Sequence, residues 1–140
     1  MEVWDSMFHY YQRNLELSET TGADINLIYA HYNLAVGYQK NEIYDKAKYH
    51  FEKCVDLSLI ASSKLMTLHS YIGLADIAYQ NGRYREGLAY LAKMDKEEMA
   101  YDLIHDQEEM RSRIYKKLGN YQQAFLSLEK YMYFIYYNMV

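Results

Sequence analysis

One pattern returns along this chain about every forty residues, and that recurrence restricts the fold more than any other feature. Residues 34–54, "LAVGYQKNEIYDKAKYHFEKC", match residues 74–94, "LADIAYQNGRYREGLAYLAKM". Leu34 and Ala35 fall on Leu74 and Ala75, Asn41 on Asn81, Tyr44 on Tyr84, Ala47 on Gly87 and Phe51 on Leu91. In the other direction Tyr44 falls on Trp4, Phe51 on Tyr11, and "KCVDLS" on "RNLELS". Tyr84 also has a later counterpart in Tyr121, with Ala124 and Leu128 at matching offsets. The chain therefore holds three copies preceded by a half.

Each copy reads as two helices. Leu27, Ile28, Ala30, Leu34, Ala35 and Tyr38 recur at three- and four-residue steps, the spacing of one helical face. "QKNE", "QNGR" and "KLGN" then interrupt the pattern. Gly82 and Gly119 suit the left-handed residue that ends a helix, and Asn41 is expected in that role in the first copy. A second helix starts at Tyr44 with Ala47, Phe51 and Cys54 on one face. Small residues at the crossing let two helices approach to the short end of the ~8–10 Å range, and the aromatics fill the space beside it. The chain has no proline, so nothing in it breaks a long helix from within. The reading is all-α, with seven helices near 2–20, 24–41, 44–59, 62–81, 84–95, 97–118 and 121–138.

Composition narrows the setting. A length of 140 residues suits one domain spanning 1–140. A net charge of −4 supplies no general attraction to nucleic acid or anionic lipid. The single Cys54 cannot form an internal disulfide. "MEVWDSMFHY" lacks the basic start and apolar run of a signal peptide, so a cytoplasmic location is expected.

The spacing resembles the tetratricopeptide repeat (TPR), most closely over 31–58. His31, Leu34-Ala35 and Tyr38 sit where that family closes its first helix, and Tyr44, Ala47, Phe51 and Cys54 fit its second. Tyr71, Leu74, Ala75, Tyr84, Gly87, Leu91 and Met94 form the next copy, and Ser112, Tyr115, Tyr121, Ala124 and Leu128 a weaker third. Ala78, Arg111 and Tyr131 depart from the family pattern, the proline that usually ends the second helix is missing, and the spacing exceeds the usual 34 residues. The long form is similar to that of bacterial TPR sensor and regulator proteins. The resemblance implies a TPR-like solenoid of antiparallel helix pairs: a half repeat at 2–20 and repeats near 24–59, 62–95 and 97–138. A chain that opens on a second-helix pattern is expected to be a piece of a longer solenoid, the alternative being that Trp4, Met7 and Tyr11 form a cap.

No catalytic or metal motif stands out. The five histidines lack an i, i+4 pairing with a carboxylate base. His31 and Cys54 occupy packing slots, and there is no phosphate-binding glycine loop. Glu97-Glu98 and Glu108-Glu109 read as acids diverging around helices. No enzyme activity, cofactor or metal is expected.

In TPR proteins the first helices of successive pairs line a groove for an extended peptide or a partner helix. The resemblance places Tyr29, Tyr32, Asn33, Val36, Gln39 and Lys40 there from the first copy. His69, Ile72, Asp76 and Tyr79 follow from the second, then Asp106, Glu109, Arg113, Lys116 and Lys117 from the third. Tyrosines give contact area at low entropic cost, and Asn33 can both donate to and accept from a peptide backbone. Tyr32 and Gly73 stand where chaperone-tail grooves carry lysine and asparagine, so no carboxylate clamp is built.

The implied function is protein or peptide binding, as the sensing or scaffolding section of a bacterial regulatory protein. The alternative is the helical front end of a signalling enzyme or DNA-binding regulator. Neither a nucleic acid nor a membrane is expected as a partner of this domain. The final helix, "YQQAFLSLEKYMYFIYYNMV", reads with Tyr121, Ala124, Leu128, Tyr131 or Met132, Ile135 and Met139 on its core face. It turns apolar all round after Lys130, which points to a homodimer anchored by Phe134 and Tyr137, the alternative being a further helix packed on this face.

Overall fold

The computed structural model describes residues 2–21 and 24–138. The fold is all-α, with seven helices and no strand among the described residues. They are α1 (Glu2–Thr21), α2 (Asp24–Lys40), α3 (Tyr44–Ile60), α4 (Lys64–Gln80), α5 (Tyr84–Ala92), α6 (Tyr101–Lys117) and α7 (Tyr121–Asn138). Two compact units are distinguished, 1–73 and 74–140, with the division inside α4.

Four corners share one hydrogen-bonding scheme. The amide of Ile43 donates to the Tyr38 carbonyl at 2.9 Å, and that of Glu42 to Gln39 at 3.0 Å. Ser63 and Ser62 repeat the pair on Ser58 and Leu59, Arg83 and Gly82 on Ala78 and Tyr79, and Asn120 and Gly119 on Tyr115 and Lys116. These are Schellman ends, which satisfy the last carbonyls of one helix. The carbonyls of Ile43, Ser63, Arg83 and Asn120 then accept from Ala47, Thr67, Gly87 and Ala124. One residue thus closes each helix and opens the next, which leaves no room for slack in the turn. The scheme requires a left-handed residue, which is Gly82 (φ 72°) and Gly119 (φ 74°) in two corners. In the other two it is Glu42 (φ 59°) and Ser62 (φ 57°). The first-copy role expected of Asn41 therefore belongs to Glu42. Asn41 instead donates its side-chain amide to the Gly37 carbonyl at 2.9 Å, a second cap on α2.

In the 1–73 unit, α2 packs on both α1 and α3. Leu34, Ala35, Ala47, Phe51 and Cys54, all assigned to packing slots, are at most 1% exposed. Phe51 lies against Gly73 of α4, where a Cβ would come within 2.4 Å of its ring. A bare backbone is what admits the phenyl ring at this crossing. A buried bond of 2.6 Å joins Ser58 to Thr67, tying the end of α3 to the start of α4.

In the 74–140 unit, α6 packs on α5 and α7. Here α5 is short and lacks a Schellman end. It closes instead through tight turns (Met94 amide to Leu91 carbonyl, 3.0 Å) and through Gln107 of α6, whose amide also donates to the Leu91 carbonyl at 2.9 Å. The chain stays non-helical to Ala100, so α6 starts at Tyr101 rather than 97. Glu97 and Glu98 are therefore not helical acids, and only Asp102 occupies the acidic first turn.

The buried line of α7 also differs from the expected face. Ala124 and Ser127 are buried and Tyr131 and Ile135 half-buried, whereas Tyr121, Leu128 and Met132 are exposed. Phe51, the first-copy counterpart of Leu128, is covered at Gly73 of α4, whereas Leu128 is 43% exposed. The small Ala124 and Ser127 allow close approach to α6, and the larger residues turn outward. Met139 lies outside the described residues, as does the side chain of Trp4.

Candidate functional site

The expected groove residues divide between the two units. In the 1–73 unit, Tyr29 and Asn33 of α2 open onto a cavity shared with α1. Tyr10, Tyr11, Asn14, Leu17 and Ser18 form one wall, and Asn26, Tyr29, Ala30 and Asn33 the other, around about 540 Å³. The Ser18 hydroxyl donates to the Asn14 carbonyl one turn back in α1 at 2.8 Å. Tyr10 and Tyr29 are exposed, while Tyr11 and Asn33 are half-buried. None of the described lining residues carries a charge. Aromatic faces together with side-chain amides suit an uncharged, hydrogen-bonding ligand segment.

The sequence does not announce the contribution of α1, because that helix reads as half of a repeat. Its signal lies in Tyr11, Asn14 and Ser18, which share a row at helical spacing.

Tyr32 does not project away from the core as a free contact residue. Its ring stands edge-on to Phe51 at 5.9 Å and to His69 at 6.2 Å, and it packs against the Ile28–Cys54–Met66 cluster. Its first role is therefore packing. Val36, Gln39, His69 and Ile72 are half-buried, and Lys40 is exposed in the last turn of α2, where the helix dipole favours a cation.

In the 74–140 unit, the Arg113 guanidinium lies 4.9 Å from the centre of the Tyr79 ring, a cation–π contact between α4 and α6. Tyr79 also meets Tyr84 at 5.9 Å. Asp76 accepts from Gln80 at 3.5 Å, and Lys116 is exposed one helical turn beyond Arg113. The structure thus brings Tyr79 and Arg113 together.

Three groups with potential chemistry lie elsewhere. His31 and His50 share a bond of 2.9 Å between their Nδ1 atoms, and the His50 ring stacks on Tyr38 at 5.6 Å. Burial, reinforced by the charge of His31, pushes His50 down to about 4. The buried Cys54 thiol is pushed above its usual value by burial, which keeps it protonated. His105, Asp106 and Glu109 bring ligand atoms within 4.8 Å of one another, but Asp106 and Glu109 are exposed. His105 already bonds Asp106 at 3.0 Å and lies against Tyr131 at 4.3 Å.

On α7, Tyr137 is 62% exposed with its ring 4.2 Å from that of Tyr133. The side chain of Phe134, the other expected anchor, lies outside the described residues. No helix among the described residues is long and apolar enough to cross a membrane.

No family model matches the chain, and no curated protein matches it either.

Proposed function

We propose that this chain is a peptide-binding helical-repeat module of the TPR type, acting as the cytoplasmic sensing or scaffolding section of a bacterial regulatory protein, without catalysis or cofactor of its own. The observation that carries the reading is the uncharged cavity between α1 and α2, where Tyr10, Tyr11 and Tyr29 flank Asn14 and Asn33. An extended peptide carries unpaired backbone donors and acceptors that asparagine amides can match, while tyrosine rings cover its side chains. The neutral lining disfavours nucleic acid and acidic tails, which need cations. A partner protein would present such a segment from a loop or terminus.

The test is selection of peptides from a displayed random library, followed by affinity measurement on purified protein. Tyr29→Ala with Asn33→Ala should lower the affinity of selected peptides by about tenfold or more, as loss of central contacts does. Neither residue is part of the buried core, so thermal stability should hold. Selected peptides that bind the double variant as tightly as the parent would remove the cavity from the proposal.

A further inference from the structure

A second cavity, of about 940 Å³, lies between the 93–100 turn, α6 and α7. Tyr133, Tyr136 and Tyr137 form one side with Met132, and Met99 and Ile104 face them. Glu108 also lines it, although only 4% of that residue is exposed. Its Oε1 accepts from Arg111 at 2.6 Å. Its Oε2 is buried with no hydrogen-bond partner among the described residues. A carboxylate oxygen withdrawn from water needs a donor, and leaving it without one is costly.

The surrounding charges do not supply that donor. Arg111 is spent on Oε1 and on Asp95, which it meets at 2.7 Å, and Asp95 also accepts from Gln107. Among the described residues Asp95, Glu108 and Glu129 still exceed Lys130 and the paired Arg111 by one negative charge, so the lining favours a cation. Three tyrosine rings at the mouth suit the same charge, because their faces are electron-rich. Met99, Ile104 and Met132 require that the cation be carried on an apolar stem.

We propose that this cavity binds an alkylammonium group, with Glu108 as counter-ion and the α7 tyrosines as aromatic walls. The chemistry is common to a free aliphatic amine and to a lysine side chain presented by a peptide. The site is separate from the α1–α2 cavity and does not rest on the function proposed for it.

The test is an NMR titration of the full chain, following the methyl signals of Met99 and Met132. The probes are n-pentylamine, n-pentanol and the peptide acetyl-Gly-Lys-Gly-amide. Saturable shifts with pentylamine, and binding of pentanol weaker by about tenfold or more, are expected, since a hydrogen bond to a charged group is worth that much. The peptide arm assigns the source: tighter binding than pentylamine means a presented lysine, and weaker binding a free amine. Glu108→Gln should erase the preference for amine over alcohol, and Tyr136→Ala, at a residue 69% exposed, should weaken pentylamine without unfolding the chain. The comparison of amine with alcohol on the parent needs no variant, so it decides even where Glu108→Gln does not fold. Equal binding of pentanol, unchanged amine binding in Glu108→Gln, or shifts that do not saturate would overturn the proposal. So would methyl shifts that follow protein concentration instead of amine, which would seat a second copy on this face.

Discussion

Gly73→Ala isolates the contact on which the α3–α4 crossing depends. Alanine normally stabilises a helix interior over glycine by up to ~1 kcal/mol. Here its Cβ would stand 2.4 Å from Phe51 Cζ and 2.7 Å from both Cε atoms, where ordinary contact begins at 3.4 Å. The ring would have to retreat by about 1 Å, and at 1% exposure it has no free space to enter. Over-packing of this kind costs ~1–3 kcal/mol, so the net loss should be roughly 1–2 kcal/mol. For a chain of this size that lowers Tm by roughly 3–8 °C, measured by circular dichroism. Adding Phe51→Leu to Gly73→Ala should recover part of the loss, a coupling that a double-mutant cycle would quantify. Gly87→Ala is the control: its Cβ would meet chiefly the terminal Cδ1 of Ile114, at 2.9 Å, and stability should stay within ~1 kcal/mol of the parent. A Gly73→Ala variant melting at or above the parent would refute the reasoning.

Glu42→Gly and Ser62→Gly should each raise Tm by a few degrees, since a left-handed side chain costs roughly 1–2 kcal/mol and glycine's extra chain entropy returns only part of that; unchanged melting of both would show that these corners are unstrained. Stability should be complete above about pH 6.5 and decline as pH falls toward 4, because the unfolded chain takes up protons that the folded His31–His50 pair resists. The loss should be roughly 1–2 kcal/mol after allowing for partial exposure, and urea titrations of the parent and His50→Gln should show the slope flattened in the variant. Arg111→Met should cost roughly 3 kcal/mol by chemical denaturation, because it strips the partner from the buried Glu108 carboxylate; a cost below ~1 kcal/mol would mean that the pair contributes little.

The packing slots were readable where two covered faces impose a strict spacing, as at Leu34, Ala35, Ala47, Phe51 and Cys54. At α7 only part of the circumference is covered, so the pattern could not show which of two adjacent rows, through Leu128 or through Ser127, turns inward. Glycine revealed two of the four corners. Glu42 and Ser62 adopt the same conformation under constraint from the bonds around them, a strain that residue type does not advertise. Glu108 was hidden because an acid beside another acid on a helix looks solvated. Its burial depends on Arg111, which the repeat pattern marks only as a misfit for leucine. The α1–α2 cavity is half legible: Tyr29 and Asn33 stand out in the sequence, whereas their partners Tyr10, Tyr11 and Asn14 lie in a helix that reads as only half of a repeat.

Hydrogen–deuterium exchange of the full chain, with and without a peptide selected from the library, tests the central claim most directly. The account predicts slowed exchange in α1 over 10–18 and in α2 over 26–33, the two walls of the uncharged cavity. A bound peptide that leaves both segments unchanged, or that protects only residues of the 74–140 unit, would contradict it.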